Sequence, residues 1–169
     1  MGNPVHLGVA RHSHQGAEQN FRTILGIDLG ILFPGFGPLP SVRGKEDERG
    51  TWDHPGASRR PRLSDGSSAL ETLTLVEPPR SIVYDITEIT GLLGWLAAQV
   101  RTEWLMVPDG DSLGAELSGT TVRWGYAVHP RKYRRLLVRV GLGPLWKMYM
   151  RRSLEAVLNE VDRQASAGH

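Results

Sequence analysis

The sequence predicts an α+β fold in which a curled antiparallel sheet wraps around one long C-terminal helix. Three observations predict it. Apolar residues alternate with period two in successive segments between residues 59 and 128, turn signals join each segment to the next, and the spacing becomes helical from Leu145 onward. The length of 169 residues suits one ordinary domain with a single core. With 40% apolar and 22% charged residues, the composition is that of a folding chain and excludes a disordered or collagen-like one.

Val5, Leu7 and Val9 alternate, so the segment 1–16 holds either a short first strand or a flexible lead-in to a domain spanning 17–165. Residues 17–25 place Phe21, Ile24 and Leu25 on one side of a short amphipathic helix, and a second apolar turn at 27–33 stops at Pro34. Pro34, Pro38 and Pro40 withhold backbone donors, which makes 35–40 a loop, and the charged run 45–50 reads as a solvated segment. Asp65-Gly66 is a favoured type I′ hairpin turn between strands at 59–64 and 67–76. After the turn Glu77-Pro78-Pro79-Arg80, a third strand carries Ile82, Tyr84 and Ile86. Val100, Thr102, Trp104 and Met106 mark a fourth, followed by a long polar turn from Pro108 to Gly119. Val122, Trp124, Tyr126 and Val128 give the strictest alternation in the chain and complete a meander of at least four strands.

Beyond it, Leu145, Trp146, Tyr149, Met150, Leu154, Val157, Leu158 and Val161 follow helical spacing over about five turns. Pro144 suits the first turn of that helix, and Gly141 and Gly143 separate it from a shorter basic segment at 133–140. A twisted sheet and one long helix bury both apolar faces when the sheet curls around the helix, and a cavity is left between them. Trp104, Trp124, Tyr126, Trp146 and Tyr149 are expected to line it.

The run Trp52-Asp53-His54-Pro55-Gly56-Ala57-Ser58-Arg59, then Leu63-Ser64-Asp65-Gly66-Ser67, then Glu77-Pro78-Pro79-Arg80 leading to Tyr84, resembles the SRPBCC (START-like) superfamily in its polyketide cyclase/dehydrase branch. Gly119-Thr120-Thr121-Val122-Arg123-Trp124 and the terminal helix extend the likeness over roughly residues 21–163. The resemblance implies a helix-grip fold of six to seven strands with two short helices near the N-terminus. It also implies a cavity for hydrophobic molecules. Members range from lipid carriers to aromatase/cyclases, so activity has to be argued from the site.

The expected cavity set is Trp52, His54, Arg59, Tyr84, Trp104, Trp124, Tyr126, Trp146, Tyr149 and Met150. Tyr84 and Tyr126 share alternation with apolar neighbours and face inward. In a cyclase, a tyrosine or a carboxylate moves a proton beside a carbonyl while Arg59 or Arg123 steadies an enolate. Against this, Arg101, Glu103 and Arg123 also read as cross-strand charges on the wet face. The segment 52–59 reads either as a lip in which Asp53 pairs with Arg59 or His54 touches ligand, or as a bulged edge strand. Asp65 reads as a turn residue. His6, His12 and His14 read as a solvated tail, their spacing being too loose for a metal site.

The chain has no cysteine, which excludes disulfides and thiolate chemistry, and neither a metal nor an organic cofactor is expected. Its charge is uneven: residues 131–152 carry Arg131, Lys132, Arg134, Arg135, Arg139, Lys147, Arg151 and Arg152 with no acid, giving +8 in a chain of net +2. That stretch reads either as transient contact with an anionic membrane surface or as the solvated face of a core helix opposite Glu46, Asp47 and Glu48. Nucleic acid is not an expected partner, because the aromatics are committed to the core and no recognition motif is present. The longest uncharged apolar stretch, 89–100, is too short to span a bilayer, and no secretory leader precedes the domain, so the cytoplasm is the expected location. The leading expectation is a domain that binds a hydrophobic or amphipathic small molecule, lipid or polyketide-like; the alternative is an aromatase/cyclase- or dehydratase-type enzyme.

Overall fold

The computed structural model describes residues 2–110 and 119–168. Seven antiparallel strands, β1 (Val5–Ser13), β2 (Val42–Arg49), β3 (Ser58–Leu63), β4 (Leu70–Glu77), β5 (Ser81–Thr87), β6 (Ala97–Pro108) and β7 (Thr120–Pro130), form one sheet in the order β1-β7-β6-β5-β4-β3-β2. Strands β2 to β7 are a meander, and β1 closes the far edge against β7 over nine register pairs from Val5↔Val128 to Ser13↔Thr120. Helices α1 (Ala17–Gly26) and α2 (Leu29–Leu32) link β1 to β2, α3 (Gly91–Leu96) links β5 to β6, and α4 (Gly143–Ala167) ends the chain. This is the helix-grip arrangement: a curled sheet around a long terminal helix.

Apolar burial explains the grip. Tyr149, Met150, Leu154, Val157, Leu158 and Val161 form the inner stripe of α4, and all are buried. Met150, Leu154, Val157, Leu158 and Val161 meet Phe21 and Ile24 of α1 and the inward residues of β5 to β7 in one core, where Trp104 and Trp124 stack with centroids 4.4 Å apart. Thr23 Oγ1 donates to Gln164 Oε1 at 2.9 Å and fixes α1 against the end of α4.

Several local expectations are corrected. The charged run at 45–50 is solvated, as expected, but it is mostly strand β2. It is the outermost strand and exposed on most positions, so it needs no apolar alternation. Its acids do not face the basic stretch: Lys45 pairs with Glu48, Arg60 with Asp47 and Arg62 with Glu46 along the same edge. The β3–β4 turn is not type I′, since Gly66 has φ +84° while Asp65 does not enter positive φ. The connection has three residues, Leu63 N–H donating to Ser67 O, and Asp65 Oδ1 accepts from both Ser67 N–H and Ser67 Oγ. That hydroxyl and amide hold the Asp65 carboxyl below its usual range.

Gly141 and Gly143 do not break the terminal helix. Helical backbone runs through 135–167, with a wide π segment at Leu137–Leu142 in which Gly143 N–H reaches back to Val138 O. The widened turn admits Pro144, which has no N–H to give. A Cβ on Gly143 would stand 3.0 Å from Val138 O and 3.3 Å from Leu7 Cδ2, so glycine here lets α4 approach β1 closely. His6 and His12 lie on β1 rather than on a loose tail, with His14 just beyond it, and His12 Nδ1 meets Asp109 Oδ2 at 2.9 Å. The expected polar turn 108–119 falls largely outside the described residues.

Candidate functional site

Antiparallel register stacks the inward side chains into cross-strand rows. One row runs Leu73, Tyr84, Thr102, Tyr126 and Leu7, and a second runs Arg59, Glu71, Ile86, Val100, Val128 and Val5. A third runs Ile82, Trp104, Trp124 and Val9. The third row is packed solid by the two stacked indoles. The first two face the head of α4, where Leu142, Trp146 and Tyr149 stand off the sheet and leave a cavity of about 100 Å³. Phe33, Pro40 and Val42 from the α2–β2 region, Pro61 and Leu63 of β3, and Ile89 and Leu93 around α3 complete its wall. Many of these rim residues are only half-buried, so the cavity opens to solvent along this side.

Polar groups on the wall are few. Glu71 borders the cavity although it is buried, and Tyr126 lies beside it. Arg59 stands directly opposite Glu71 on β3 and donates from Nε to Glu71 Oε2 at 2.7 Å. The guanidinium is capped by the Trp52 indole, 3.8 Å from the ring centroid, and Trp52 meets Tyr84 edge-on at 5.8 Å. The pair is satisfied from both sides, which is what a buried charge requires.

Burial raises the Tyr126 hydroxyl well above the usual phenol range, and the repulsion a Tyr126 phenolate would meet from an ionised Tyr84 and from Glu71 adds to the rise. Burial likewise raises Tyr84, helped by Glu71 and opposed by Arg59. Both phenols are therefore neutral donors and poor proton acceptors at ordinary pH. Tyr149 instead braces the fold. Its hydroxyl accepts from Gly35 N–H at 2.7 Å and donates to Pro40 O at 3.2 Å, tying α4 to the loop over the cavity. Burial raises its hydroxyl too, against the opposing pull of the Gly35 amide.

Of the ten expected cavity residues, Tyr126, Trp146 and Tyr149 border the cavity. Trp104, Trp124 and Met150 are core, and so is Tyr84, which is buried in the inward row without bordering the cavity. Arg59 and Trp52 support Glu71 from outside the cavity. His54 is exposed and pairs with its neighbour, Nδ1 to Asp53 Oδ1 at 2.6 Å. The segment 52–57 is therefore a loop with neither the Asp53–Arg59 pair nor an edge strand. Arg101, Glu103 and Arg123 lie on the wet face, Arg101 pairing across strands with Asp85 at 3.4 Å. The residue missed is Glu71; its signal was alternation with Leu73 two positions on, which puts both on one face.

Solved structures share this arrangement. Ara h 8.0201 superposes with a TM-score of 0.67 at 16% identity, covering 93% of this chain and 97% of that one. Protein MLL2253 from Mesorhizobium loti gives 0.66 at 12% identity over 94% and 98%, and an uncharacterised protein from Bacillus thuringiensis gives 0.64 at 16% over 93% and 98%. At such identities the likeness is one of fold. No curated protein matches in sequence. The sequence profile described as polyketide cyclase/dehydrase and lipid transport matches residues 37–164, three quarters of the chain and nearly all of the sheet and helix that build the cavity, so the protein belongs to that family within the SRPBCC superfamily.

Proposed function

We propose that this protein holds a hydrophobic small molecule, lipid or polyketide-like, in the cavity between the sheet and α4, with the guest's one polar end against Glu71. The observation that carries the reading is the wall itself: apolar almost throughout, with one buried carboxylate held in place by Arg59. Burying the apolar part of a guest contributes about 25 cal/mol per Å² before association costs. The carboxylate accepts hydrogen bonds and repels anions, so the preferred polar end is a hydroxyl or another donor. Cavities of roughly 150 Å³ take a benzene-sized guest. At about 100 Å³ the closed cavity takes only a short chain segment, and a ring such as naphthol requires the rim of Phe33, Leu142 and Trp146 to move outward.

Calorimetric titration with naphthol and with naphthoate, of nearly equal size, tests this. Naphthol binds at least about tenfold more tightly, and Glu71→Gln narrows the gap. Equal affinities for the two, unaffected by the substitution, contradict it. The cation-rich stretch 131–152 is proposed to bring the protein transiently to anionic membrane surfaces. Among the described residues no helix is long and apolar enough to cross a bilayer, and the proposed location is the cytoplasm.

A second reading, an enzyme of the aromatase/cyclase type, has one observation in its favour. Glu71 and Tyr126, a proton acceptor and a neutral donor, both border the same cavity. Arg123 takes no part in it, since it is exposed on the opposite face. Product formation from a polyketide-like thioester that disappears in Glu71→Gln while binding persists would favour this reading over carriage.

A further inference from the structure

At the cavity's α3 side the fold leaves large apolar side chains in water on two adjacent elements. On α3, Leu92 and Trp95 are 68% and 49% exposed; ahead of and within the π segment, Tyr133, Leu136, Leu137 and Val140 are 88%, 67%, 50% and 63% exposed. A monomer rarely leaves so many in one region without use. The two elements are locked together. Arg131 donates from Nε to Gly94 O at 2.6 Å and from its backbone N–H to Leu96 O at 2.9 Å, and the Arg134 guanidinium lies 4.0 Å over the Trp95 ring.

Cations interleave with these residues: Arg131, Lys132, Arg134, Arg135 and Arg139. Among the described residues none of the five has a carboxylate partner, and the stretch 131–152 contains no acid. Leu93, next to Leu92, and Leu142, just past Val140, already line the cavity. The exposed face and the cavity wall are thus built on the same two elements.

We propose that α3 and the head of the terminal helix form one docking platform for an anionic lipid bilayer, and that the guest enters the cavity beside this platform, between Leu93 and Leu142. A bilayer surface supplies what the platform requires: negative headgroups for the arginines and an apolar layer for Leu136, Val140 and Trp95. A phosphate backbone satisfies only the first. The uptake route rests on the carrier reading given above; the docking surface rests only on the membrane contact proposed for 131–152, which it narrows to α3 and the head of α4.

Flotation with vesicles of phosphatidylcholine alone, and of phosphatidylcholine with added phosphatidylglycerol, tests the platform. The wild-type chain is expected to float only with the anionic vesicles. The triple variant Lys132→Gln, Arg135→Gln, Arg139→Gln is expected to lose on the order of a hundredfold in partitioning, at about fivefold per cation. The double variant Leu136→Ser, Val140→Ser, which changes exposed side chains only, is expected to lose at least about tenfold. Uptake of a pyrene-labelled hydrophobe from the vesicles slows in both variants, while naphthol affinity in solution is unchanged. Equal flotation with neutral vesicles, or none with either kind, overturns the proposal. So does a triple variant that fails to float beside a double variant that floats like wild type, which indicates a phosphate polyanion as partner. Wild-type flotation without any naphthol binding in solution removes the carrier reading and leaves the docking surface standing.

Discussion

Arg59 and Glu71 stand opposite each other across β3 and β4 and close a 2.7 Å ion pair with both side chains out of water. The pair places a single fixed charge at the wall of an otherwise apolar cavity, and its geometry comes from strand register rather than from a loop.

Removing one partner of such a pair strands the other, so Arg59→Ala is expected to cost about 3 kcal/mol or more in urea unfolding. Replacing both by apolar residues of similar size, Arg59→Met with Glu71→Leu, restores most of that loss while abolishing the preference for donor-bearing guests. A single Arg59→Ala variant as stable as wild type contradicts the account of the pair.

Two tryptophans, Trp104 on β6 and Trp146 on α4, separate core from wall. Trp104 is stacked on Trp124 and fully buried, so Trp104→Ala is expected to cost about 3–5 kcal/mol. Trp146 borders the cavity and is half-buried, so Trp146→Ala costs less and admits larger guests. Thermal unfolding and titration with guests of graded size check both. The opposite ranking, with Trp146 the costlier, would place the cavity elsewhere.

The buried phenols set an alkaline limit. Tyr84 and Tyr126 have hydroxyls raised above the value near 10.0 that they resume on unfolding. A raised folded value means that their contribution is complete below that pH and is lost as the pH rises beyond it, because only the unfolded chain releases the protons. Stability is expected to hold flat through neutral pH and to fall above pH about 10. The fall should be shallower in Tyr84→Phe and Tyr126→Phe. Identical slopes in wild type and both variants would rule the phenols out as its source.

The sequence shows the fold where one physical demand acts alone. β5 to β7 alternate because one face is dry and the other wet, and α4 repeats every three to four residues because one stripe is buried. β2 escapes notice because an edge strand with Arg43, Lys45, Glu46, Asp47 and Glu48 has little dry face to mark. The glycines at 141 and 143 look like a break because local propensity ignores a π turn that tertiary packing against Leu7 requires. At the site, Tyr126, Trp146 and Tyr149 are readable as inward aromatics. Glu71 is less so, because its partner Arg59 is twelve residues away and only strand register brings them together. A bulge between Leu73 and Leu75 further interrupts the alternation that marks Glu71 as inward.

The space beneath the head of α4 is proposed to hold a guest. Native mass spectrometry of protein isolated gently from its own source tests it most directly. A hydrophobic molecule with a hydrogen-bond donor is expected to co-purify and to be lost or replaced in Glu71→Gln. Bare protein under every gentle condition, together with no binding of naphthol to the purified chain, would contradict it.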